Sequence, residues 1–452
     1  MTTQIAVAQS DIRRLLRYRW VVLSVPVVCN MVVLFLFVVP ATIGDQLATA
    51  WHLDAVSLGL LGSLMFYPYA LLQIPSGILN DKWGPRRTVT AAMLIMSVGQ
   101  ILFSQATGLG MGLMGRAITG LGSAVIFISV LKVLVTWFRV REFATLLGLN
   151  ATLAFAGSML GTAPLAFIVV RLGWEAPLLM AGLFTFLLAA LSWILIRDDP
   201  AEIGLPPIRT VDPDAESTAT DNVSSVDYRS LIKEAAQIWL RTPTIWIVSL
   251  TLLLGLGSLQ AFQFLWAGPY LIHVHGKTAV TSGASLLLLS VGAGLGAAVS
   301  GYLSDQVKSR RPFLIGGTVG LTAAWAGIVA TTNGASTLTI NLLFLLFGFS
   351  AGFILIGQPM VKEVVRPAIF GTVFGIVNMS PFVGNAILQL LMGALLNTSD
   401  STVIDGSRVY SAAGYWLAFM PLLIGAFLCI VLAMFVPESL KRTPVETVSA
   451  SG

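Results

Sequence analysis

The sequence predicts an all-α integral membrane protein: twelve transmembrane helices arranged as two six-helix bundles. Three observations point there. Of 452 residues, 56% are hydrophobic and only 10% charged, with a mean hydropathy of +0.86. Soluble chains carry about 25% charged residues and need them to cover a core. Apolar stretches long enough to cross a bilayer as helices occur six times, give way to a polar segment, and occur six times more. The two sets also share repeated sequence.

A tail, 1–19, carries Arg13, Arg14, Arg17 and Arg19. The first bundle, 20–196, holds stretches at 20–42, 56–79, 88–106, 109–137, 143–170 and 176–196. Ala48, Thr49 and Ala50 look like a signal-peptidase site, but so long an apolar run reads as an uncleaved anchor. The linker, 197–241, changes composition sharply: Asp198, Asp199, Glu202, Asp212, Asp214, Glu216, Asp221 and Asp227 lie among prolines, serines and threonines, as in a solvated connector. Its end, from Leu231 to Arg241, is an amphipathic helix expected to lie on the membrane surface. The second bundle, 242–436, holds stretches at 244–271, 279–302, 312–331, 337–360, 369–396 and 411–436, and the tail 437–452 follows.

Basic residues set the expected orientation. Loops on the side of the termini hold 21 of the 26, the other side holds Arg171, Lys277 and Arg408, and the remaining two, Arg116 and Lys132, fall inside span 4. By the positive-inside rule both termini are expected in the cytoplasm, with the protein in the inner or plasma membrane. Cys29 and Cys429 lie in apolar runs, so neither a disulfide framework nor a zinc site is expected. His52, His273 and His275 sit near outer loops without metal-ligand spacing, and no nucleophile or nucleotide motif stands out. The expectation is a chain that is not an enzyme, with no cofactor, no metal and no nucleic-acid partner.

Two segments recur. Gly77-Ile78-Leu79-Asn80-Asp81-Lys82-Trp83-Gly84-Pro85-Arg86-Arg87 returns 224 positions later as Gly301-Tyr302-Leu303-Ser304-Asp305-Gln306-Val307-Lys308-Ser309-Arg310-Arg311. Phe143 to Gly148 returns 227 positions later as Phe370 to Gly375. Similar offsets at equivalent places make the halves parallel repeats. At these residues the sequence resembles the major facilitator superfamily, whose G-x-L-x-D-[RK]-x-G-x-[RK]-[RK] signature is complete from Gly77 to Arg87. Arg116-Ala117-Ile118-Thr119-Gly120-Leu121-Gly122 resembles its R-x-x-x-G-x-G stretch, and Trp137-Phe138-Arg139-Val140-Arg141-Glu142 its W-F-x-x-x-E turn. The resemblance covers nearly the whole chain and implies two bundles rocking about a central site. Span 5 lacks the G-P-x-x-G-G turn of drug/proton antiporters, whereas Gly173-Trp174 and Asn378-Met379-Ser380-Pro381-Phe382 look like the organic anion/cation symporter branch.

For conformational coupling, Gly77 is expected to permit close helix approach, Asp81 to face a helix N-terminus, and Arg86 and Arg87 to pair with acidic groups or lipid phosphates. Asp305, Arg310 and Arg311 are their repeat equivalents. The resemblance implies a latch between bundles here, and for Arg116 packing against span 1 with a part in coupling; satisfying carbonyls at a helix break is the structural alternative. Arg116 and Lys132 are 16 residues apart, roughly 24 Å along a helix and about 160° around it, so they cannot grip one small anion together. Lys132 either faces the central cavity or snorkels to the headgroups. With only cations inside the spans, the cavity is expected to be electropositive and to favour an anion.

Mid-membrane polar residues complete the candidate substrate site: Asn30, Tyr67, Tyr69, Gln73, Gln260, Gln263, Asn378 and Asn385, beside Lys132. Each could instead be interhelical packing glue. Pro26, Pro68, Pro164, Pro243 and Pro359 are expected to break or kink spans 1, 2, 5, 7 and 10. The reading is a monomeric secondary transporter that moves a small organic anion by alternating access, in symport with a proton. The alternatives are an exporter of drugs or siderophore-like metabolites, and a uniporter or anion exchanger.

Overall fold

The computed structural model describes residues 9–208, 228–365, 367–404 and 407–438. Arg209, the acidic stretch from Asp212 to Asp227, Arg366, Lys441 and Arg442 lie outside the described residues. Among those described are twelve helices long and apolar enough to cross a membrane. Spans 1 to 6 are Ser10–Trp51, Ala55–Gln73, Pro75–Ser104, Leu109–Trp137, Thr145–Leu172 and Glu175–Leu195. Spans 7 to 12 are Pro243–His273, Ala279–Val307, Arg311–Asn333, Thr337–Val364, Thr372–Asn397 and Ala412–Phe435. A surface helix, Tyr228–Arg241, precedes span 7. Between spans 11 and 12 stands a short antiparallel hairpin, β1 (Ser401–Ile404) and β2 (Ser407–Tyr410). "Terminal face" below means the side of the outer ends of spans 1 and 12; the opposite side is the far face.

In each half the third helix packs on the fourth and the sixth: span 3 on spans 4 and 6, and span 9 on spans 10 and 12. The halves meet along three repeat-related lines, span 1 against span 7, span 2 against span 11, and span 5 against span 8. Near the far face these contacts are as close as backbones allow. A Cβ on Gly268 of span 7 would overlap the Ala41 carbonyl of span 1, and one on Gly393 of span 11 would overlap the Ala55 carbonyl of span 2. Toward the terminal face, the Cβ positions of Gly77 at the start of span 3, Gly148 of span 5, Gly301 of span 8 and Gly375 of span 11 have no neighbour within 4 Å. Gly77 therefore makes no close helix contact in this conformation, against expectation. The bundles converge toward the far face and part toward the terminal face.

Three of the five prolines mark breaks. Spans 2, 5 and 10 are interrupted at Leu64–Met65, Gly161–Thr162 and Leu355–Ile356, and Pro68, Pro164 and Pro359 fall in the first turn of the restarted helix, where a missing N–H leaves no bond unmade. Pro243 likewise starts span 7 and Pro26 sits within a continuous helix, so neither breaks its span. Span 7 is instead loosened by two π-helical turns, Leu252–Leu256 and Phe262–Trp266.

The signature segment is helical almost throughout. Only Gly84, at φ 74° and ψ 160°, departs from the helix between Phe66 and Ser104, and a Cβ there would run into the Asp198 carboxylate. That carboxylate accepts the Arg86 amide at 2.7 Å, while Arg86 Nε donates to the Trp193 carbonyl at 2.8 Å. Gly84→Ala is expected to cost about 1–2 kcal/mol from the left-handed backbone alone, and more because Asp198 must withdraw. Thermal unfolding of the purified variant checks this; wild-type stability would refute the brace.

Candidate functional site

A cavity of about 230 Å³ lies between the bundles. Six carboxamides line it: Asn30 from span 1, Asn150 from span 5, Gln260 and Gln263 from span 7, Gln358 from span 10 and Asn378 from span 11. Tyr69 and Ser158 add hydroxyls, and Phe37, Phe127, Phe155, Phe264 and Phe382 add rings. Among the described lining residues none is Asp, Glu, His, Lys or Arg. An electropositive cavity is thus not what forms. The site is polar but carries no fixed charge.

Helix faces explain how these side chains meet. Asn150, Ala154 and Ser158 are one turn apart on span 5, and Gln260, Gln263 and Phe264 share a face of span 7. Asn30 Nδ2 donates to Asn150 Oδ1 at 3.3 Å, joining spans 1 and 5. Gln263 Nε2 donates to Ser290 Oγ at 2.7 Å, and Ser290 Oγ lies 3.2 Å from Ser158 Oγ, linking the bundles through spans 7, 8 and 5. Asn378 Nδ2 donates to Gln73 Oε1 at 3.5 Å and accepts from Gln358 Nε2 at 3.4 Å, which joins spans 11, 2 and 10. Three buried polar atoms keep no hydrogen-bond partner: Asn150 Nδ2, Gln260 Oε1 and Gln73 Nε2. Two are donors and one an acceptor, and orphaned buried groups of this kind are costly unless a ligand or water completes them.

Five rings roof the cavity toward the far face. Phe37, Phe66 and Tyr69 come from the first bundle, Phe264 and Phe382 from the second. Tyr69 and Phe382 approach to 4.4 Å, and Phe37 lies 4.9 Å from Phe66 and 5.6 Å from Phe264. Both bundles contribute, so the plug exists only while they converge on that side.

Of the expected substrate residues, Asn30, Tyr69, Gln260, Gln263 and Asn378 line this cavity. Gln73 stands one hydrogen bond behind it. Tyr67 is half-buried against the hydrophobic core and is not a lining residue. Asn385 is fully enclosed away from the cavity, with neither amide atom partnered, beside the equally enclosed Gln389. Lys132 does not reach the cavity either. Its Nζ sits 2.7 Å from Asp81 Oδ1, with both side chains about 40% exposed, at 41% and 38%. The flexible stem lets the ammonium reach an opposite charge near the terminal face, at far less cost than a bare cation in a dry cavity. Asp81 accordingly meets Lys132 and not a helix N-terminus.

Arg116 is 1% exposed. Its guanidinium donates to the carbonyls of Leu36 in span 1 at 3.0 Å and of Leu61 and Gly62 in span 2 at 3.4 and 3.3 Å. Leu61 and Gly62 end the helix Ala55–Ser63 just before the break, where carbonyls lack intrahelical donors. Arg116 supplies them. The repeat segments are braced alike at the terminal face: the Arg310 amide donates to Glu438 at 2.9 Å as the Arg86 amide donates to Asp198. Arg310 also pairs with Asp305 at 2.6 Å and Glu363 at 3.2 Å, and the Arg311 guanidinium donates to the Met434 carbonyl. Arg87 is exposed.

Residue-type reasoning overlooked several of these. Asn150, Ser158 and Gln358 carried a readable signal, their position on polar faces of spans 5 and 10. Asp198 and Glu438 follow spans 6 and 12 at equivalent places, so the repeat register points to both. Arg19, counted only for topology, forms a two-point pair with Glu142 at 2.7 and 3.0 Å and stacks on Phe138. Burial alone would raise the Glu142 carboxyl, but hydrogen bonds from Arg19 and the Arg139 amide hold it below the usual carboxylate range.

Comparison with known proteins agrees with this architecture. The family profile described as Major Facilitator Superfamily matches residues 26–387. The probable galactarate/D-glucarate transporter GarP of Escherichia coli is 24% identical over 422 residues, 89% of this chain and 91% of that protein. The hexuronate transporter of Bacillus subtilis is 21% identical over 391 residues, 82% of this chain and 88% of that one. Among solved structures, a bacterial homolog of the human lysosomal transporter Spinster superposes with a TM-score of 0.74 at 15% identity, covering 93% of this chain and 97% of its own.

Proposed function

Since the chain belongs to the major facilitator superfamily, we propose that it is a secondary transporter that carries a small polyhydroxylated organic acid across the membrane by alternating access. The distribution of Arg and Lys supports placing both termini in the cytoplasm. The observation that carries the reading is the cavity itself: six carboxamides and five phenyl rings, contributed by both bundles, around a space with no fixed charge. Carboxamides pair with hydroxyl groups as donor and acceptor at once, and rings cover the C–H faces of a carbon chain. GarP is named for two hexarates, which carry two carboxylates, and the Bacillus subtilis protein for hexuronates, which carry one; the hydroxylated skeleton common to both suits such a lining. The acid group would be received by amide N–H donors of the lining, of which Asn150 Nδ2 has no partner.

The lack of a cation in the lining sharpens the substrate class. One carboxylate can be met by neutral donors, but a second charge in a low-dielectric site without a counterion costs several kcal/mol, and about 1.4 kcal/mol is tenfold in affinity. Monocarboxylic sugar acids are therefore expected to bind at least tenfold more tightly than dicarboxylates or phosphate esters of the same carbon number. A thermal-shift screen of the purified protein against hexuronates, hexonates, hexarates and hexose phosphates at equal concentration checks this, because a ligand that binds more tightly stabilises more. Stabilisation by the dianions alone would overturn the assignment. A second reading, facilitated uniport, is favoured by the same lining, in which Tyr69 is the one titratable side chain among the described residues. Uptake independent of an imposed pH gradient would select it over proton symport.

A further inference from the structure

The uncharged cavity leaves open where a proton could act on this protein. We propose that it acts at the far gate, where the His273–Asp45 pair binds a proton and in doing so holds the two bundles closed. His273 ends span 7 and Asp45 lies on span 1, and His273 Nε2 stands 3.3 Å from Asp45 Oδ1. The other four ion pairs among the described residues each stay within one bundle. This pair crosses between them. It exists only while spans 1 and 7 converge, as they do at Gly268 and Ala41.

The surroundings suit a group that gains and loses a proton. Nδ1 of His273 lies 3.0 Å from the Tyr415 hydroxyl of span 12, which can donate to a neutral ring or accept from a protonated one. Neither state breaks a hydrogen bond. Asp45 Oδ2 has no partner and is buried, so its carboxylate is under-compensated until a full positive charge faces it. Protonation of the ring turns a hydrogen bond from a neutral N–H to the carboxylate into an ion pair in which both partners carry charge. The other titratable groups packed around the ring are Tyr410 of β2, at 6.4 Å between ring centres, and Tyr270, one turn back on span 7. Beyond Tyr410 stand Arg408 and Asp54, which carry opposite charges. His275 is no competitor, because burial first and Lys277 second lower its proton affinity.

The sign follows from linkage. When the bundles part at the far face, His273 and Asp45 separate and the proton loses its partner, so the proton binds more tightly to the far-closed form. By reciprocity, acid on that side drives the protein toward far-closed, terminal-open.

The inference rests on the reading that the bundles alternate, but its test needs no substrate. Spin labels on Trp83 and Val307, exposed on the terminal ends of opposite bundles, report the opening of that face in lipid nanodiscs; both native cysteines are buried. Between pH 8 and 5 the ratio of terminal-open to terminal-closed molecules is expected to rise by about fivefold or more, the usual size of a coupling between two sites. Asp45→Asn and His273→Gln should each flatten the response, while His275→Gln should keep it. Asp45→Asn preserves size and carries the test alone if His273→Gln does not fold. An unchanged response in Asp45→Asn, or none in the wild type, overturns the latch and leaves the transport reading standing. Loss of ligand binding with an intact pH response would do the reverse.

Discussion

Replacing Arg116 with methionine is expected to destabilise the folded protein by about 2–5 kcal/mol. The substitution keeps volume and removes three donors. The carbonyls of Leu36, Leu61 and Gly62 then lack the partner they have now, and each unsatisfied buried group costs about 1–3 kcal/mol, partly relieved by local rearrangement. The residue matters because span 2 is broken: a continuous helix would satisfy Leu61 and Gly62 from its own next turn. Arg116→Lys restores a charge but a single head that cannot span three carbonyls from two helices, so it should recover only part of the loss. Chemical unfolding of the purified variants measures the effect. A fully stable Arg116→Met protein would mean that the guanidinium serves transport alone.

The second large effect is expected at Gln260. Its Oε1 is a buried acceptor without a partner, facing the cavity from span 7. Gln260→Leu removes it while nearly preserving volume, so the empty protein should gain stability slightly and ligand binding should weaken. A substrate hydroxyl left unpaired costs about 1–3 kcal/mol, roughly fivefold to 150-fold in affinity. Asn150→Leu should also weaken binding, but with a structural penalty, since Asn150 accepts from Asn30. The contrast between a destabilised and an undestabilised binding mutant separates a ligand contact from packing glue. Isothermal titration with a monocarboxylic sugar acid checks both; wild-type affinity in Gln260→Leu would remove that residue from the site.

The twelve spans were legible because lipid imposes one rule, apolar helices of bilayer length, and because the Gly77 and Gly301 segments repeat. The break points were partly legible: Pro68, Pro164 and Pro359 mark three, but Pro26 lies within a continuous helix, since a proline can sit in a helix that neighbours support. The polar face of the site was legible at Asn30, Gln260, Gln263 and Asn378 for the reason that polar groups avoid hydrocarbon. Its charge was not. Lys132 looks like a cavity cation by sequence position, yet the aliphatic stem carries its charge to Asp81, 51 residues away, a contact that only the packing of spans 3 and 4 creates. Asn385 fails in the opposite way: helical periodicity places it with Asn378, but a two-turn offset along span 11 carries it out of the cavity and into the span 7 contact at Gly257. The aromatic roof was invisible because phenylalanines in apolar spans carry no distinguishing signal until both bundles are assembled.

The central claim, that the carboxamide cavity binds and translocates a sugar monoacid, is tested most directly by counterflow in proteoliposomes. Vesicles preloaded with an unlabelled hexuronate are diluted into a trace of the labelled compound. Transient accumulation of label by the wild-type protein, strongly reduced in Gln260→Leu and not supported by preloaded hexarate or hexose phosphate, is the predicted result. No accumulation with any monocarboxylic sugar acid, or equal accumulation by the Gln260→Leu variant, would contradict it.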